Sequence, residues 1–412
     1  MKKFSIIIMI LLSVHSLSAQ WIQQNPYFPE QGYLKDIFSL DEYHVWSVKN
    51  GQWGTGTNDG GSTWEPLLIE YMNGIHFSDQ FNGWATGDNG GIWHTDDGGI
   101  GFFATWEQQE SGTDYNLENI FFVDSLTGWA VGWKDGYITW AYDIILSTKN
   151  GGNTWEIQYQ GHSGGLSAIY FINDTTGWVA GWAGLLFTNN RGNDWSLASI
   201  SGELVQSVFF TDILHGWIAG GYESSGFISF SSDGGITWEQ QISDTIPVLH
   251  DITFVDSITG WAVGDSGTIL YTSNGGLDWQ YQESGTNLCL HSVSFGDLDH
   301  GWICGDSCII LYTSNGGIVG TDQLVQDPGF QVQVYPNPFS DQVSVEFEVT
   351  NPSRVSIELM NSLANIVWTK DLGTLPSGIY TNSLDIRHLA SGIYFCRFQV
   401  GDQVVVKRLV KL

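Results

Sequence analysis

The chain has 412 residues and carries 44 Asp/Glu against 14 Lys/Arg, a formal net charge of −30. An acidic body of this kind repels nucleic acid and anionic lipid, both of which depend on clustered cations. Aromatic residues make up 14% of the sequence, which excludes an acidic disordered chain, because such chains are aromatic-poor.

The chain opens with Met1-Lys2-Lys3, the apolar run FSIIIMILLSV and a small-residue stretch ending at Ala19. That order is expected of a Sec signal peptide over residues 1–19, leading to export through the periplasm. The apolar run is too short to span a bilayer, and no later stretch is long enough to do so. Residues 20–320 then hold most of the acidic excess, with Lys35, Lys49, Lys134, Lys149 and Arg191 as the cations.

Within that region one phrase recurs. A Gly-Trp step stands at Trp84, Trp129, Trp178, Trp217, Trp261 and Trp302, with a weaker first copy, HVWSV, at Trp46. A second phrase follows each copy, as in TNDGGSTW, TKNGGNTW, SSDGGITW and TSNGGLDW, and the last one, TSNGGIVG, lacks its tryptophan. A repeat of this length is one supersecondary unit. Each unit holds four short apolar or β-branched runs divided by Gly/Asn/Asp/Ser turns, which predicts four antiparallel strands. Seven such units predict an all-β, seven-bladed propeller, in which both faces of every sheet are covered and charge is therefore kept off them. The segment QWIQQNP after Ala19 matches the outer strands WEQQES and WEQQIS, so Trp21 is expected to supply the missing outer strand and close the ring.

Chemistry-bearing motifs are sparse. GHSGG at residues 161–165 has the spacing of a nucleophile elbow but falls between strands, without the required strand–turn–helix setting. DLDHG at residues 297–301 aligns with an ordinary turn of the repeat and lacks a downstream glutamate ligand for calcium. Four cysteines show no paired metal-ligand spacing, so no metal and no cofactor are expected. A register placing Phe295 opposite Trp302 sets Cys289 against Cys308 and predicts a disulfide between them. No catalytic residue is singled out, although 35 carboxylates leave an Asp/Glu hydrolytic pair as an open alternative.

The candidate binding residues lie where the inner strands begin. Lys35, Asp36, Asn73, Glu118, Asn119, Gln206, His250, Asp251 and His291 form a polar ring there. Turns on the same side carry Trp133 and Trp182 where later units have Asp265 and Asp306, and Tyr137 and Trp140 lie beside Trp133. Tryptophans in adjacent turns predict an exposed apolar patch suited to sugar rings or a partner's side chains. The other reading is that an inserted hairpin buries them.

After a polar linker at residues 321–330, alternating apolar strands over residues 331–412 predict a small immunoglobulin-like β-sandwich.

The phrase T/S-x-D/N-G-G-x-T-W resembles the Asp-box, or BNR, repeat. With GWAVG it makes residues 21–320 similar to the photosystem II stability/assembly-factor propellers. The resemblance implies the scaffold and assigns Asp59, Asp97 and Asp233 to holding hairpins. Members that chaperone photosystem subunits use a basic patch that this sequence lacks. Asp-box propellers also include sialidases, which grip a carboxylate with three arginines. The propeller region here has only Arg191. The tail motifs Tyr335-Pro336-Asn337-Pro338, Gly392, Tyr394 and Lys407 resemble the type A sorting domain of the type IX secretion system. That resemblance implies the secretion machinery as a partner, and release or attachment at the outer cell surface of a Bacteroidota-type cell. The function expected is a secreted, non-catalytic propeller binding a protein or glycan, with a glycoside hydrolase as the alternative.

Overall fold

A computed structural model describes residues 21–317, apart from 27, 29–31, 52, 137–140, 163, 183 and 199–203. It also describes residues 332–411, apart from 336–341, 362–365, 388, 390–391 and 402. The chain divides into two compact units at residue 318. Among the described residues no helix is long and apolar enough to cross a membrane.

The first unit is a seven-bladed β-propeller of seven four-stranded sheets. The inner strands of blades 1 to 6 are Leu34–Ser39, Met72–Phe77, Asn116–Phe122, Leu166–Phe171, Val205–Phe210 and Leu249–Phe254. Blade 7 comprises Leu290–Phe295, His300–Gly305 and Ile310–Ser314, and its outer strand is the N-terminal segment Ile22–Gln24. Ile22 pairs with Tyr312 and Gln24 with Ile310, so the ring closes through strands from both ends of the unit.

The Gly-Trp step explains the packing between blades. Each tryptophan lies flat on the phenylalanine that ends the next blade's inner strand, with centroids 3.7 Å apart for Trp46–Phe77, 3.6 Å for Trp129–Phe171 and 3.5 Å for Trp178–Phe210. The outer-strand tryptophan of the phenylalanine's own blade meets the same ring edge-on, as Trp195 does at Phe171 and Trp238 at Phe210. Face and edge contacts both suit the ring quadrupole. The glycine before each tryptophan is needed because the phenylalanine rests on it. A Cβ at Gly177 would meet the Phe171 ring at 2.5 Å.

Blade 1 is the exception that shows the rule. Ser39 replaces the phenylalanine, and Val45, its cross-strand partner, replaces the glycine. Trp302 of blade 7 therefore has no phenylalanine face to cover and packs on Tyr312 and the edge of Trp64 instead. Its indole nitrogen lacks a hydrogen-bond partner, whereas those of Trp46, Trp84, Trp178, Trp217 and Trp261 donate to turn carbonyls.

The Asp-box side chains hold the outer hairpins. Asp59 accepts from the Thr57 hydroxyl at 2.8 Å and from the Thr63 amide at 2.8 Å. Asp97 and Asp233 repeat this with Thr105 and Thr237.

The expected disulfide is not formed, and Cys289, Cys304, Cys308 and Cys396 are all free thiols. Phe295 lies opposite Gly301 rather than Trp302, and a further register shift between Leu290 and Ser292 moves the strand start again. Cys289 is thereby brought to Asp306, whose amide donates to its carbonyl, while the Cys308 amide bonds to Gly32.

The second unit has a three-stranded sheet (Val332–Tyr335, Gln342–Val349, Gly378–Asp385) and a four-stranded sheet (Ser353–Asn361, Ile366–Leu375, Gly392–Val400, Gln403–Lys411). Val345 and Phe347 from one and Ile357, Leu359 and Phe398 from the other share a core, so the two sheets form a β-sandwich. Of the tail motif, Tyr335 ends a strand, Gly392 begins one, Tyr394 is buried and Lys407 pairs with Cys396 in register. Pro336, Asn337 and Pro338 lie outside the described residues.

Candidate binding face at the channel mouth

Every inner strand breaks register at the same place. The shifts fall between Leu34 and Asp36, Met72 and Gly74, Leu117 and Asn119, Leu166 and Ala168, Val205 and Ser207, Leu249 and Asp251, and Leu290 and Ser292. The extra residues are Lys35, Asn73, Glu118, Ser167, Gln206, His250 and His291. A β-bulge re-aims one side chain out of strict alternation, and here all seven line a central cavity of about 430 Å³. The polar ring is thus a product of seven bulges. Asp36, Asn119 and Asp251 line the same cavity.

Three blades are tied together at the rim. The Lys35 ammonium donates to Asn73 Oδ1 at 2.7 Å and to Glu118 Oε2 at 3.3 Å, and the Trp133 indole donates to Glu118 Oε1 at 3.0 Å. Trp133 and Trp182 line one recess of about 290 Å³ with Glu118, Ser167, Leu204 and Gln206. Trp182 is 53% exposed and meets Tyr222, itself 60% exposed, edge-on at 5.9 Å. Sequence reasoning missed Tyr222, although it follows GWIAGG at the position that faces the same rim. Tyr137 and Trp140 lie outside the described residues.

Deeper in the cavity the lining turns aromatic. Phe38, His76, Phe121, Tyr170 and Phe209 stand side by side, with successive centroids 4.7, 4.7, 5.2 and 4.8 Å apart. Burial lowers the pKa of His76 to about 3, so it serves as a neutral ring.

Asp36 and Asp251 join blades. Asp36 accepts from the Ile37 amide and the Ser292 hydroxyl on one oxygen and from the Ile75 amide on the other, each at 2.9 Å. Asp251 accepts from the Ser207 hydroxyl at 2.7 Å and the Ile252 amide at 2.9 Å on one oxygen. Its other oxygen takes the Ser292 hydroxyl at 3.0 Å and the Val293 amide at 2.9 Å. Ser292 has one proton to offer two carboxyls. Burial, and then the Asp36 charge, raise the Asp251 pKa to about 6. Burial also raises Asp36.

A carboxyl that binds its proton more tightly when folded contributes stability below its unfolded pKa and loses it as pH rises. Relative to Asp251→Asn, the native chain is therefore expected to lose thermal stability from pH 3.8 to about 6. A carboxyl titration near the upper value should appear by carbon NMR and vanish in the variant. Parallel pH–melting curves for the two proteins would contradict the assignment.

The two predicted histidines have acidic partners that sequence reasoning did not identify. His250 Nε2 lies 2.9 Å from Asp265 Oδ1, and His291 Nε2 lies 2.9 Å from Asp306 Oδ1. Both aspartates stand at the repeat position that Trp182 fills in a turn of blade 4. In blade 3 the second strand, Gly128–Lys134, runs on through that position, so Trp133 is a paired strand residue rather than the turn residue expected.

The sequence pattern of the family described as photosynthesis system II assembly factor YCF48 matches residues 103–249 and 237–322, together more than half of the chain. The chain belongs to this family. Residues 333–412 match the secretion system C-terminal sorting domain, which marks the chain for secretion to the cell surface or beyond. Among solved structures, YCF48 bound to D1 peptide is 20% identical with a TM-score of 0.54, covering 72% of this chain and 98% of that one. YCF48 from Cyanidioschyzon merolae is 18% identical with a TM-score of 0.57, over the same shares. The GH74 enzyme of Niastella koreensis is 10% identical with a TM-score of 0.55, covering 95% of this chain and 74% of that one. At these identities the likeness is one of fold. No curated protein matches the chain.

Proposed function

We propose that this YCF48-family propeller is exported by the Sec route, sorted by its tail, and binds a protein or glycan partner at the channel mouth without catalysis. The observation that carries this reading is the recess shared by Trp133 and Trp182. Flat apolar rings stand beside the carboxylate of Glu118 and the amide of Gln206. Concave sites of this composition bind by stacking, with a few polar groups fixing orientation. The solved YCF48 holding a D1 peptide supports a peptide among the candidate ligands. The hydrolase alternative has a concrete pair in Asp36 and Asp251. However, their oxygens are engaged by backbone amides and serines of neighbouring blades, where general acid–base work needs an oxygen that reaches substrate.

The test is a peptide and glycan array probed with the chain from Gln20 onward, followed by Trp133→Ala/Trp182→Ala. The double variant is expected to bind roughly 30-fold more weakly or worse, as for interface aromatics at a binding centre, with an unchanged melting temperature. Loss of the melting transition would instead make the two rings part of the core. Polysaccharide hydrolysis that disappears in Asp251→Asn would overturn the non-catalytic reading.

A further inference from the structure

The rim of blades 6 and 7 gathers a donor set that lies outside the Trp133/Trp182 recess. Asp265 Oδ1 lies 2.9 Å from His250 Nε2 and also accepts the Cys289 thiol at 3.1 Å. The donor atoms of His250, Asp265 and Cys289 all lie within 4.8 Å of one another. From the other side, His291 presents Nδ1 to the Cys289 sulfur at 3.8 Å while Asp306 holds its Nε2. A ring whose near nitrogen faces a shared centre and whose far nitrogen is held by a carboxylate has the arrangement that fixes histidines on metal ions.

We propose that this cluster binds one borderline divalent cation of the zinc type, with His250, Asp265, Cys289 and His291 as ligands and Asp306 as the group that orients His291. The donor chemistry selects the class. Two imidazoles, one sulfur and one carboxylate suit zinc, cobalt or nickel, whereas calcium and magnesium require oxygen. The spacing of His250, Asp265 and Cys289 fits as well. Zinc–ligand lengths of about 2.0–2.3 Å at tetrahedral angles set neighbouring donors roughly 3.3–3.7 Å apart. The two contacts now shorter than that, at 2.9 and 3.1 Å, are those currently bridged by protons. Shifts of about half an ångström convert His250, Asp265 and Cys289 from hydrogen-bonded neighbours into three ligands. His291, which touches only the Cys289 sulfur among them and does not lie within 4.8 Å of all three donors, moves further to complete the set. Binding releases one proton to solvent as the Cys289 S–H bond gives way to a sulfur–metal bond, and His250 coordinates as the neutral ring with its proton on Nδ1.

The ligands come from two adjacent blades beside the ring seam, where Tyr33 forms a bridge with Asp306. The ion would therefore cross-link blade 7 to blade 6 next to the junction that closes the propeller. Spacing alone could not reveal this, because Asp265 and Cys289 are 24 residues apart and meet only when the blades stack.

The experiment uses the full chain without an affinity tag, stripped by chelator and titrated with Co²⁺ and then Zn²⁺. About one equivalent should bind, with a near-ultraviolet sulfur-to-cobalt absorption that zinc abolishes by displacement. Cys308→Ser, which removes a thiol elsewhere, should keep that band, and Cys289→Ser should lose it. Asp306→Asn should weaken binding by roughly tenfold or more. Uptake well below one equivalent overturns the proposal. So does a wild-type cobalt spectrum without a sulfur band, a readout that needs no variant to fold, or a band that survives in Cys289→Ser.

Discussion

Removing residues 20–26 is expected to leave a chain that aggregates, or whose propeller melts roughly 10 °C lower. The segment contributes three ladder residues to blade 7, and its loss bares the edge of Ile310–Ser314. An unpaired edge of that kind is a template for association with another chain. It also removes Trp21, which is buried, packs edge-on against Phe295 at 5.9 Å and donates to Gln282 Oε1 at 2.9 Å. Deleting a buried tryptophan typically costs about 3–5 kcal/mol on its own. Differential scanning calorimetry with light scattering would measure both effects. An unchanged melting temperature with a monodisperse monomer would show that the ring does not depend on its N-terminal strand.

That closure was legible because WIQQ repeats the lettering of other outer strands, and a repeat exposes its own missing piece. The blade count and the rim position of Trp133, Trp182 and the inner-strand polar residues were legible for the same reason, since equivalent positions in a propeller share a depth along the axis. The strand register was not. The bulge at each inner-strand start adds one residue that no local pattern announces, because Lys35, Asn73 and His291 have nothing chemical in common. Together with the pairing of Phe295 with Gly301 rather than Trp302, that extra residue displaced the expected partner of Cys289 by two positions, from Asp306 to Cys308, and with it went the contact with Asp265. Asp251 was read as a candidate binding residue of the polar ring, without the bonds that hold it there. Its four hydrogen bonds come from residues 207, 252, 292 and 293, spread over three blades, and sequence spacing carries no distance between blades. The Ser39/Val45 exchange was visible as a weak first copy, but its meaning required seeing what rests on the glycine.

The largest single-residue effects on stability should follow the stacking between blades, and three tryptophans in different settings test this. Trp178 is fully buried, lies on Phe210 at 3.5 Å with planes 6° apart, and donates its indole proton to the Gly234 carbonyl. Trp178→Ala removes the stack, opens a cavity between blades 4 and 5 and strands that carbonyl, so a loss of about 3–5 kcal/mol is expected. Trp302 is equally buried, but it faces a blade where Ser39 stands in place of phenylalanine, and its indole nitrogen is already without a partner. Trp302→Ala forfeits the packing without a hydrogen bond or a parallel stack, and should cost less, by about 1 kcal/mol or more. Trp182, exposed on the rim, should change stability by no more than about 0.5 kcal/mol on truncation. Denaturant unfolding of the three variants gives the ranking directly. If Trp302→Ala proves as damaging as Trp178→Ala, the indole–phenylalanine stack is not what holds neighbouring blades together. If Trp182→Ala joins them, the rim recess belongs to the core rather than to a partner.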